Sequence, residues 1–167
     1  YQEWQSLPEQ EIAHFRSRLR ALFQDFPVNK NPNEDTTEKD VIEPILKELG
    51  WGDFLAEQHA NRFDIPDYLL FDDKAPKQKA NQENQPEKRY KHGRAVLEAK
   101  KWNLELDRKS SEAFSRIPSN QIIRYLTNVD VASEGRVTWG MLTNGRLWRL
   151  YFGRAQSKSE DFVEFDL

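Results

Sequence analysis

Two short stretches decide how this chain can fold, IPDYLLF at residues 65–71 and AVLEAKKW at residues 95–102. Each stretch places an acidic residue beside an apolar run, with Asp67 before the first run and Glu98 at the end of the second. Short apolar runs of this kind are typical of buried β-strands. Side chains alternate along a strand, so Glu98 and Lys100 are expected on the same face. The two stretches therefore predict two carboxylates and a lysine at neighbouring strand ends.

The sequence on either side of these stretches alternates between helical and strand patterns. Apolar residues recur at helical spacing in two segments near the start of the chain. Asn33 is expected to cap the second segment, and Pro44 is expected to kink it or break a turn. Asn144-Gly145 lies between two β-prone runs, which is the strongest short signal for a hairpin. The predicted helices cover residues 8–26, 33–50 and a segment that opens at Pro118, and the predicted strands include residues 54–58, 137–142 and 147–152. This order predicts an α/β domain with a mixed β-sheet flanked by helices and an extra N-terminal helix.

The segment between the two decisive stretches, residues 72–93, is rich in Lys, Gln, Asn, Glu and Pro. Because it offers almost nothing to bury, it is expected to be a long mobile loop. Its charge is slightly basic, so a contact with a DNA backbone is one interpretation. Its composition favours a different interpretation, in which the loop extends into solvent and has no binding partner.

Composition narrows the classes of function. The chain has 25 Lys and Arg against 28 Asp and Glu, a formal net charge of −3. It therefore lacks the overall basic charge of many nucleic-acid-binding proteins, although a site built from carboxylates would offset local basic patches in this total. The chain has no cysteine, which excludes disulfides, zinc–thiolate sites and thiol catalysis.

Length and termini set expectations about organisation and location. A chain of 167 residues suits one domain with an ordinary core. No apolar run approaches the roughly 20 residues that a membrane span requires, so we expect a cytoplasmic protein that does not contact membranes. The sequence begins at Tyr1 and ends on a strand-like run, so it is expected to be a piece of a longer chain.

The acids and the lysine suit one particular chemistry. Magnesium prefers a few carboxylate oxygens and completes its octahedron with water and substrate phosphate. Asp67 and Glu98 form a minimal pair of ligands, and the backbone carbonyl of Ala99 would add a third oxygen. Lys100 is placed to orient or deprotonate an attacking water, or to hold a phosphate as a point charge. These residues predict metal-dependent hydrolysis of a phosphodiester without a covalent enzyme intermediate.

The order of several short blocks resembles a known family. The blocks are Asn33-Glu34 through Thr37, Ile42, Pro44 and Leu46 to Leu49-Gly50-Trp51; Pro66-Asp67-Tyr68 with Leu70-Phe71; Glu98-Ala99-Lys100-Lys101-Trp102; and Gln121 with Tyr125-Leu126, followed by Trp139 to Tyr151. With these blocks the sequence resembles the PD-(D/E)XK nuclease superfamily, and within it the N-terminal nuclease domains of type I restriction subunits and type IIG restriction-modification enzymes. The resemblance implies a restriction-endonuclease-like fold over residues 33–167, preceded by an N-terminal helix and connector at residues 1–32.

The resemblance also implies roles for particular residues. Asp67, Glu98 and Lys100 would form the catalytic core, and Asp67, Glu98 and the Ala99 carbonyl would bind the metal. Glu34 would be the helix acid that supports the metal, although the sequence leaves Glu38 open as an alternative. The remaining matched pair, which would position the DNA backbone, consists of Gln121 and Tyr125.

The implied cofactor is Mg²⁺, with Mn²⁺ as a substitute, and the implied substrate is double-stranded DNA. Methyltransferase and target-recognition domains would act with this domain in cis or in trans. S-adenosylmethionine would be needed only if a methyltransferase domain exists elsewhere in the full chain. Cutting both strands of a duplex would need two such sites, so dimerisation is one possible arrangement, and the sequence leaves the oligomeric state open.

Two other classes of function compete with a nuclease. The first is a non-cleaving nucleic-acid-binding or assembly module on the same fold. The second is a plain structural domain with scattered acids, because fold alone does not fix function. The sequence contains no Gly-x-x-x-x-Gly-Lys phosphate loop and no Asn-Pro-Pro-Tyr motif, so neither an ATPase nor a methyltransferase centre is expected within these residues.

Overall fold

The structure is a computed structural model that describes residues 8–52, 55–57, 65–109 and 116–167. Within these residues the chain forms a mixed sheet flanked by helices. The helices are α1 (Glu9–Asp25), α2 (Glu34–Thr37, continuing through Glu38–Ile42 to Glu43–Glu48), α3 (Lys74–Gln82), α4 (Pro86–Arg89) and α5 (Pro118–Ala132). The strands are β1 (Leu55–Glu57), β2 (Tyr68–Leu70), β3 (Ala95–Ala99), β4 (Trp139–Thr143), β5 (Leu147–Phe152) and β6 (Phe162–Asp166). The predicted α/β class with a mixed sheet is confirmed.

The strands of the described sheet lie in the order in which they occur along the chain. Neighbouring strands are antiparallel except β3 and β4, which are parallel. A parallel pair needs a crossover connection, and α5 provides it. In the pairing of β2 with β3, Tyr68 lies opposite Leu97. The start of β2 therefore lies beside the end of β3, which brings the two decisive stretches together.

Helices cover both faces of the sheet. Leu69 and Val96 belong to a buried cluster with residues of α5, whereas Leu70 and Leu97 belong to a second cluster with residues of α2. Because β2 and β3 are buried on both faces, their sequences are continuous apolar runs and not alternating patterns. The predicted strand at residues 54–58 corresponds to β1, while Phe54 and Gln58 lie outside the described residues.

Helix α2 contains one turn that is wider than an α-helix. The side chain of Asn33 caps its start by accepting a hydrogen bond from the Thr36 amide at 2.8 Å, as predicted. Residues Glu38–Ile42 then wind as a π-helical turn, in which the Glu43 amide donates to the carbonyl of Glu38. Pro44 follows directly and lacks an amide proton to continue α-helical bonding. The predicted disturbance near Pro44 is therefore confirmed, and it takes the form of this π turn.

The prediction of a long loop at residues 72–93 is wrong. This segment forms α3, α4 and a 3₁₀ turn at Tyr90–His92. Two of its side chains, Ala80 and Tyr90, are buried in the cluster that includes α5 residues. A polar helix with good helix formers needs only a few such anchors to dock. In the part of the chain that the structure describes, no helix has both the length and the apolar character to cross a membrane.

Candidate active site

The predicted site residues come together at one end of the sheet. Asp67 directly precedes β2, Glu98 lies in β3, and Lys100 directly follows β3. A carboxylate oxygen of Asp67 (Oδ2) accepts a hydrogen bond from the amide of Ala99 at 2.8 Å. This bond fixes the start of β2 against the end of β3 and orients the Asp67 carboxylate.

The lysine lies between two of the predicted acids. Its Nζ atom donates to Oε1 of Glu98 at 2.6 Å and to the carbonyl oxygen of Ala99 at 2.7 Å. The same Nζ lies 3.9 Å from Oε2 of Glu34. The side chain of Lys100 is 13% exposed and that of Glu98 only 2%. The centre is therefore a nearly buried pair of a lysine and a carboxyl group, with a further acid at its margin.

Burial changes the protonation of Glu98. Loss of solvent raises the pKa of its carboxyl group to about 8, and the charges of Asp67 and Glu34 act in the same direction. The Lys100 ammonium acts in the opposite direction but does not overcome burial. Near neutral pH, and without a bound cation, a large share of Glu98 is therefore protonated.

The pKa of Lys100 is raised as well, which for a lysine favours the charged form. Burial disfavours the charge of its ammonium, but the acids Glu98, Glu34 and Asp67 together raise its pKa above the ordinary value. Lys100 is therefore a firmly charged ammonium at neutral pH. A charged ammonium can hold a phosphate or stabilise developing negative charge, but it cannot accept a proton.

The Gln121 and Tyr125 pair lies on α5 and is held together internally. Nε2 of Gln121 donates to the hydroxyl oxygen of Tyr125 at 2.6 Å. The pKa of Tyr125 is raised to about 12, mainly by burial and also by the charges of Glu98 and Asp67, while the hydrogen bond from Gln121 and the charge of Lys100 act in the opposite direction. The two acids and the lysine therefore act electrostatically on this hydroxyl. Tyr125 keeps its proton at neutral pH and is a hydrogen-bond donor toward a ligand.

The two acids that the sequence leaves open as alternatives have different partners. Glu34 approaches Lys100, as described above. Oε2 of Glu38 instead accepts a hydrogen bond of 2.5 Å from the hydroxyl of Tyr68, which also lies 3.3 Å from Oε1 of Glu43. The geometry therefore favours Glu34 as the helix acid nearest the centre, whereas Glu38 joins α2 to β2.

Sequence reasoning missed the residues that hold the segment after Lys100. The amide of Trp102 donates to Oγ1 of Thr37 in α2 at 2.9 Å. The buried side chain of Asn144 donates from Nδ2 to the carbonyl of Leu104 at 2.8 Å. The backbone of Gly145 packs closely against the side chains of Thr37 and Trp102, so a Cβ atom on Gly145 would lie 2.8 Å from each of them. The sequence of Asn144-Gly145 indicated a hairpin, but no local pattern indicated that these two residues also contact the segment after Lys100.

The residues at the centre fit a hard divalent cation. Oε2 of Glu98 is buried and has no hydrogen-bond partner among the residues that the structure describes. Burial of an oxygen atom without a partner costs free energy, and coordination of a cation would offset that cost. The carboxylates of Asp67 and Glu98 and the carbonyl of Ala99 supply the few oxygens that magnesium takes from protein. No group of three or more His, Cys, Asp or Glu side chains in the described ranges is arranged to hold a metal, so water and substrate would have to complete the shell.

A groove of about 330 Å³ is lined mainly by residues that follow Lys100 in the chain. Lys101, the residue after Lys100, is part of its wall together with Arg108 and Lys109. The acid in the wall, Glu105, is already paired with Arg108 at 3.1 Å. The wall of the groove therefore carries net positive charge. Its lining residues are Asn31, Lys101, Trp102, Asn103, Leu104, Glu105, Arg108 and Lys109.

Comparisons with protein-family models, with curated proteins and with solved structures found no match to this chain. The family resemblance inferred from the sequence blocks therefore stays a prediction, and the function is argued from the geometry of the site.

Proposed function

We propose that this chain carries a metal-dependent DNA endonuclease domain of the PD-(D/E)XK type, belonging to a restriction-modification protein that defends against foreign DNA. The observation that carries the proposal is the convergence of Asp67, Glu98 and Lys100 at one end of the sheet, within hydrogen bonds of 2.6 to 2.8 Å. The mixed sheet flanked by helices supports the restriction-endonuclease-like fold that forms part of the proposal.

Two carboxylates would hold the metal ion. Asp67 and Glu98, with the carbonyl of Ala99, would bind Mg²⁺ or Mn²⁺, and Glu34 would support the site from α2. The bound ion supplies Lewis-acid polarisation of the scissile phosphate and a water of lowered pKa. Glu98 must lose its proton to act as a ligand, so metal binding and deprotonation of Glu98 are coupled.

Lys100 acts as a cation in this proposal. Its raised pKa keeps the ammonium charged, so it would hold a non-bridging phosphate oxygen and stabilise the charge that develops there. Of the two roles that the sequence suggests for Lys100, the electrostatic role is therefore favoured over proton abstraction. Water would attack in line with the leaving oxygen, and the phosphodiester bond would be hydrolysed directly.

The remaining residues position the substrate. The Tyr125 hydroxyl, oriented by Gln121, would donate to a phosphate oxygen of the bound strand. The basic groove at residues 101–109 would hold the backbone next to the cut, because lysine and arginine contacts to phosphates supply most of the affinity for DNA. This would place positive charge along the substrate path in a chain whose net charge is −3.

One observation favours a non-cleaving nucleic-acid-binding or assembly module as the second candidate. Lys100 already donates to Glu98 at 2.6 Å, so this carboxyl group has a cationic partner without a metal ion. If that pair never opens, the acids would serve only to hold β2, β3 and α2 together. DNA binding that ignores divalent cations would favour this alternative.

Isothermal titration with magnesium tests the proposal. The wild-type protein is expected to bind the ion, and Asp67→Asn and Glu98→Gln are expected to weaken binding by about 10-fold or more. Asp35→Asn is the matched control, because Asp35 is an exposed acid at the start of α2 that pairs with Lys39. Wild-type protein at pH 7 should also release a fraction of a proton per bound ion, measured in buffers of different ionisation enthalpy. Magnesium binding that does not depend on Asp67 and Glu98 would contradict the proposal.

A further inference from the structure

The two faces of β6 differ in how they are used. On one face Phe162 packs under the guanidinium of Arg149 at 4.6 Å. Glu164 accepts a hydrogen bond from Nε of Arg149 at 2.6 Å, and Asp166 accepts two from Arg146 at 2.8 and 2.7 Å. All three side chains on this face therefore have partners within the chain.

The other face of β6 and the residue after it carry a row of apolar side chains that lack such cover. Val163, Phe165 and Leu167 follow one another at a spacing of two residues and are 54, 45 and 42% exposed. They project to the side of the sheet on which the buried Trp148 lies, since Trp148 is the register partner of Phe165. A contiguous exposed apolar row of this kind is a feature of association surfaces.

The backbone of β6 is open to pairing. Among the described strands, β6 is the last of the sheet and pairs with β5 alone. Natural edge strands are commonly protected by charged side chains that discourage a second strand. Here the two acids of the strand, Glu164 and Asp166, are engaged by arginines of the same sheet, so they give little of that protection.

A basic groove continues the apolar row at one end. Leu167 lines a groove of about 440 Å³ together with Leu19 and Phe23 of α1. Arg16 and Arg20, which are exposed on α1, form the rim of the groove. The surface thus changes from apolar along β6 to positively charged beyond Leu167.

We propose that this face is a self-association surface, on which a second copy of the chain adds its own β6 antiparallel to the first. In antiparallel strands, opposing residues share a face, so the apolar rows of the two copies would form one continuous strip. The start of one β6 would lie beside the end of the other. The residues that precede β6, Glu160 and Asp161, are exposed acids, and they would approach the rim formed by Arg16 and Arg20.

This charge complementarity is what favours a second copy over another partner. A two-fold axis makes the acid-to-arginine contact twice, once at each end of the paired strands. The inference does not depend on the proposed nuclease activity. It would, however, bring together the two centres that cutting both strands of a duplex requires.

Sedimentation equilibrium tests the proposal with a matched pair of variants. Val163→Lys puts a charge into the apolar row, whereas Val131→Lys puts the same charge at an apolar residue of α5 that is 78% exposed. Wild type and Val131→Lys are expected to dimerise below roughly 100 μM, and Val163→Lys is expected to stay monomeric with unchanged circular dichroism. A monomeric wild type, or a Val163→Lys variant that dimerises like the control, would overturn the proposal.

A charge exchange tests the orientation of the two copies. Arg16→Glu with Arg20→Glu should raise the dimer dissociation constant by about 10-fold, and adding Glu160→Lys should restore much of the loss. Failure of both effects would overturn the antiparallel arrangement. A monomeric chain that captures an acidic peptide in the groove of α1 would overturn self-association and identify a different partner.

Discussion

Nζ of Lys100 lies 2.6 Å from Oε1 of Glu98, while the other carboxylate oxygen of Glu98 is buried without a hydrogen-bond partner among the described residues. One side of this carboxyl group is therefore compensated and the other is not. A protonated Glu98 and a bound cation are two ways to relieve the same cost of burial. The protonation, metal affinity and stability of this centre should therefore change together.

Without metal, the protein should become less stable as the pH rises from about 5 to 8. The folded pKa of Glu98, about 8, lies above its ordinary value of 4.5. The folded state therefore holds the proton more tightly, and stability falls between these values by up to about 1.4 kcal/mol per pH unit. Urea unfolding in the presence of a chelator measures this slope.

Glu98→Gln is the control for this pH dependence, because it cannot titrate. The difference in unfolding free energy between wild type and Glu98→Gln should change steadily across this pH window. Lys100 does not interfere, since its raised pKa affects stability only above its ordinary value of 10.5. Parallel pH profiles for the two proteins would show that burial of Glu98 does not control its protonation.

The basic groove at residues 101–109 should determine affinity for DNA. Arg108→Glu with Lys109→Glu is expected to weaken binding of a DNA duplex by about 10-fold or more and to reduce the salt slope by about 1 per lost phosphate contact. Lys79→Glu with Lys88→Glu makes the same charge change on α3 and α4, in the segment that connects β2 to β3. Fluorescence anisotropy at several salt concentrations measures the affinity of the two double variants for the duplex. An equal loss of affinity in both variants would refute a role for the groove.

Gly145 should be far less tolerant of substitution than Gly50. Both have positive φ, +83° and +87°, so alanine at either position costs about 1 to 2 kcal/mol of backbone strain. A Cβ atom at Gly145 would also meet Thr37 and Trp102 at 2.8 Å, whereas nothing lies within 4 Å of one at Gly50. Gly145→Ala should therefore cost roughly 3 kcal/mol in urea unfolding. Equal losses of unfolding free energy in Gly145→Ala and Gly50→Ala would mean that Gly145 is not closely packed against Thr37 and Trp102.

Asp107 should stabilise the segment after β3 through one buried arginine. Its carboxylate accepts hydrogen bonds from Nη1 and Nη2 of Arg149 at 2.6 and 2.7 Å, and the side chain of Arg149 is 8% exposed. Asp107→Ala leaves this guanidinium short of a partner, so a loss of about 2 kcal/mol is expected. Glu105→Ala removes an exposed pair with Arg108 and should change stability by less than about 0.5 kcal/mol. Similar values for the two variants would contradict this role.

The sequence predicted those parts of the fold that local patterns encode. The apolar runs beside Asp67 and Glu98 identified β2 and β3, and Asn144-Gly145 identified the hairpin of β4 and β5. Pairing of Glu98 with Lys100 followed from their spacing along one strand. These features depend on neighbours in sequence, so a single chain reveals them.

Other features depend on contacts between distant segments. The helices α3 and α4 are anchored by Ala80 and Tyr90, and two buried side chains in a polar segment give no visible periodicity. The bond from the Trp102 amide to Thr37 joins residues 65 positions apart. The choice of Glu34 over Glu38 likewise depends on contacts with distant residues, Lys100 for Glu34 and Tyr68 for Glu38. Local patterns carry no information about such contacts.

Nicking of supercoiled plasmid DNA in magnesium tests the proposed nuclease most directly. Wild type and the Asp35→Asn control are expected to nick the plasmid, and a chelator should abolish the reaction. Asp67→Asn and Lys100→Met should reduce the rate by about 100-fold or more, because each removes a charge that the transition state requires. Metal-dependent nicking that survives in both variants would contradict the assignment of this centre. So would a wild-type protein that binds magnesium through Asp67 and Glu98 yet leaves modified and unmodified plasmid intact.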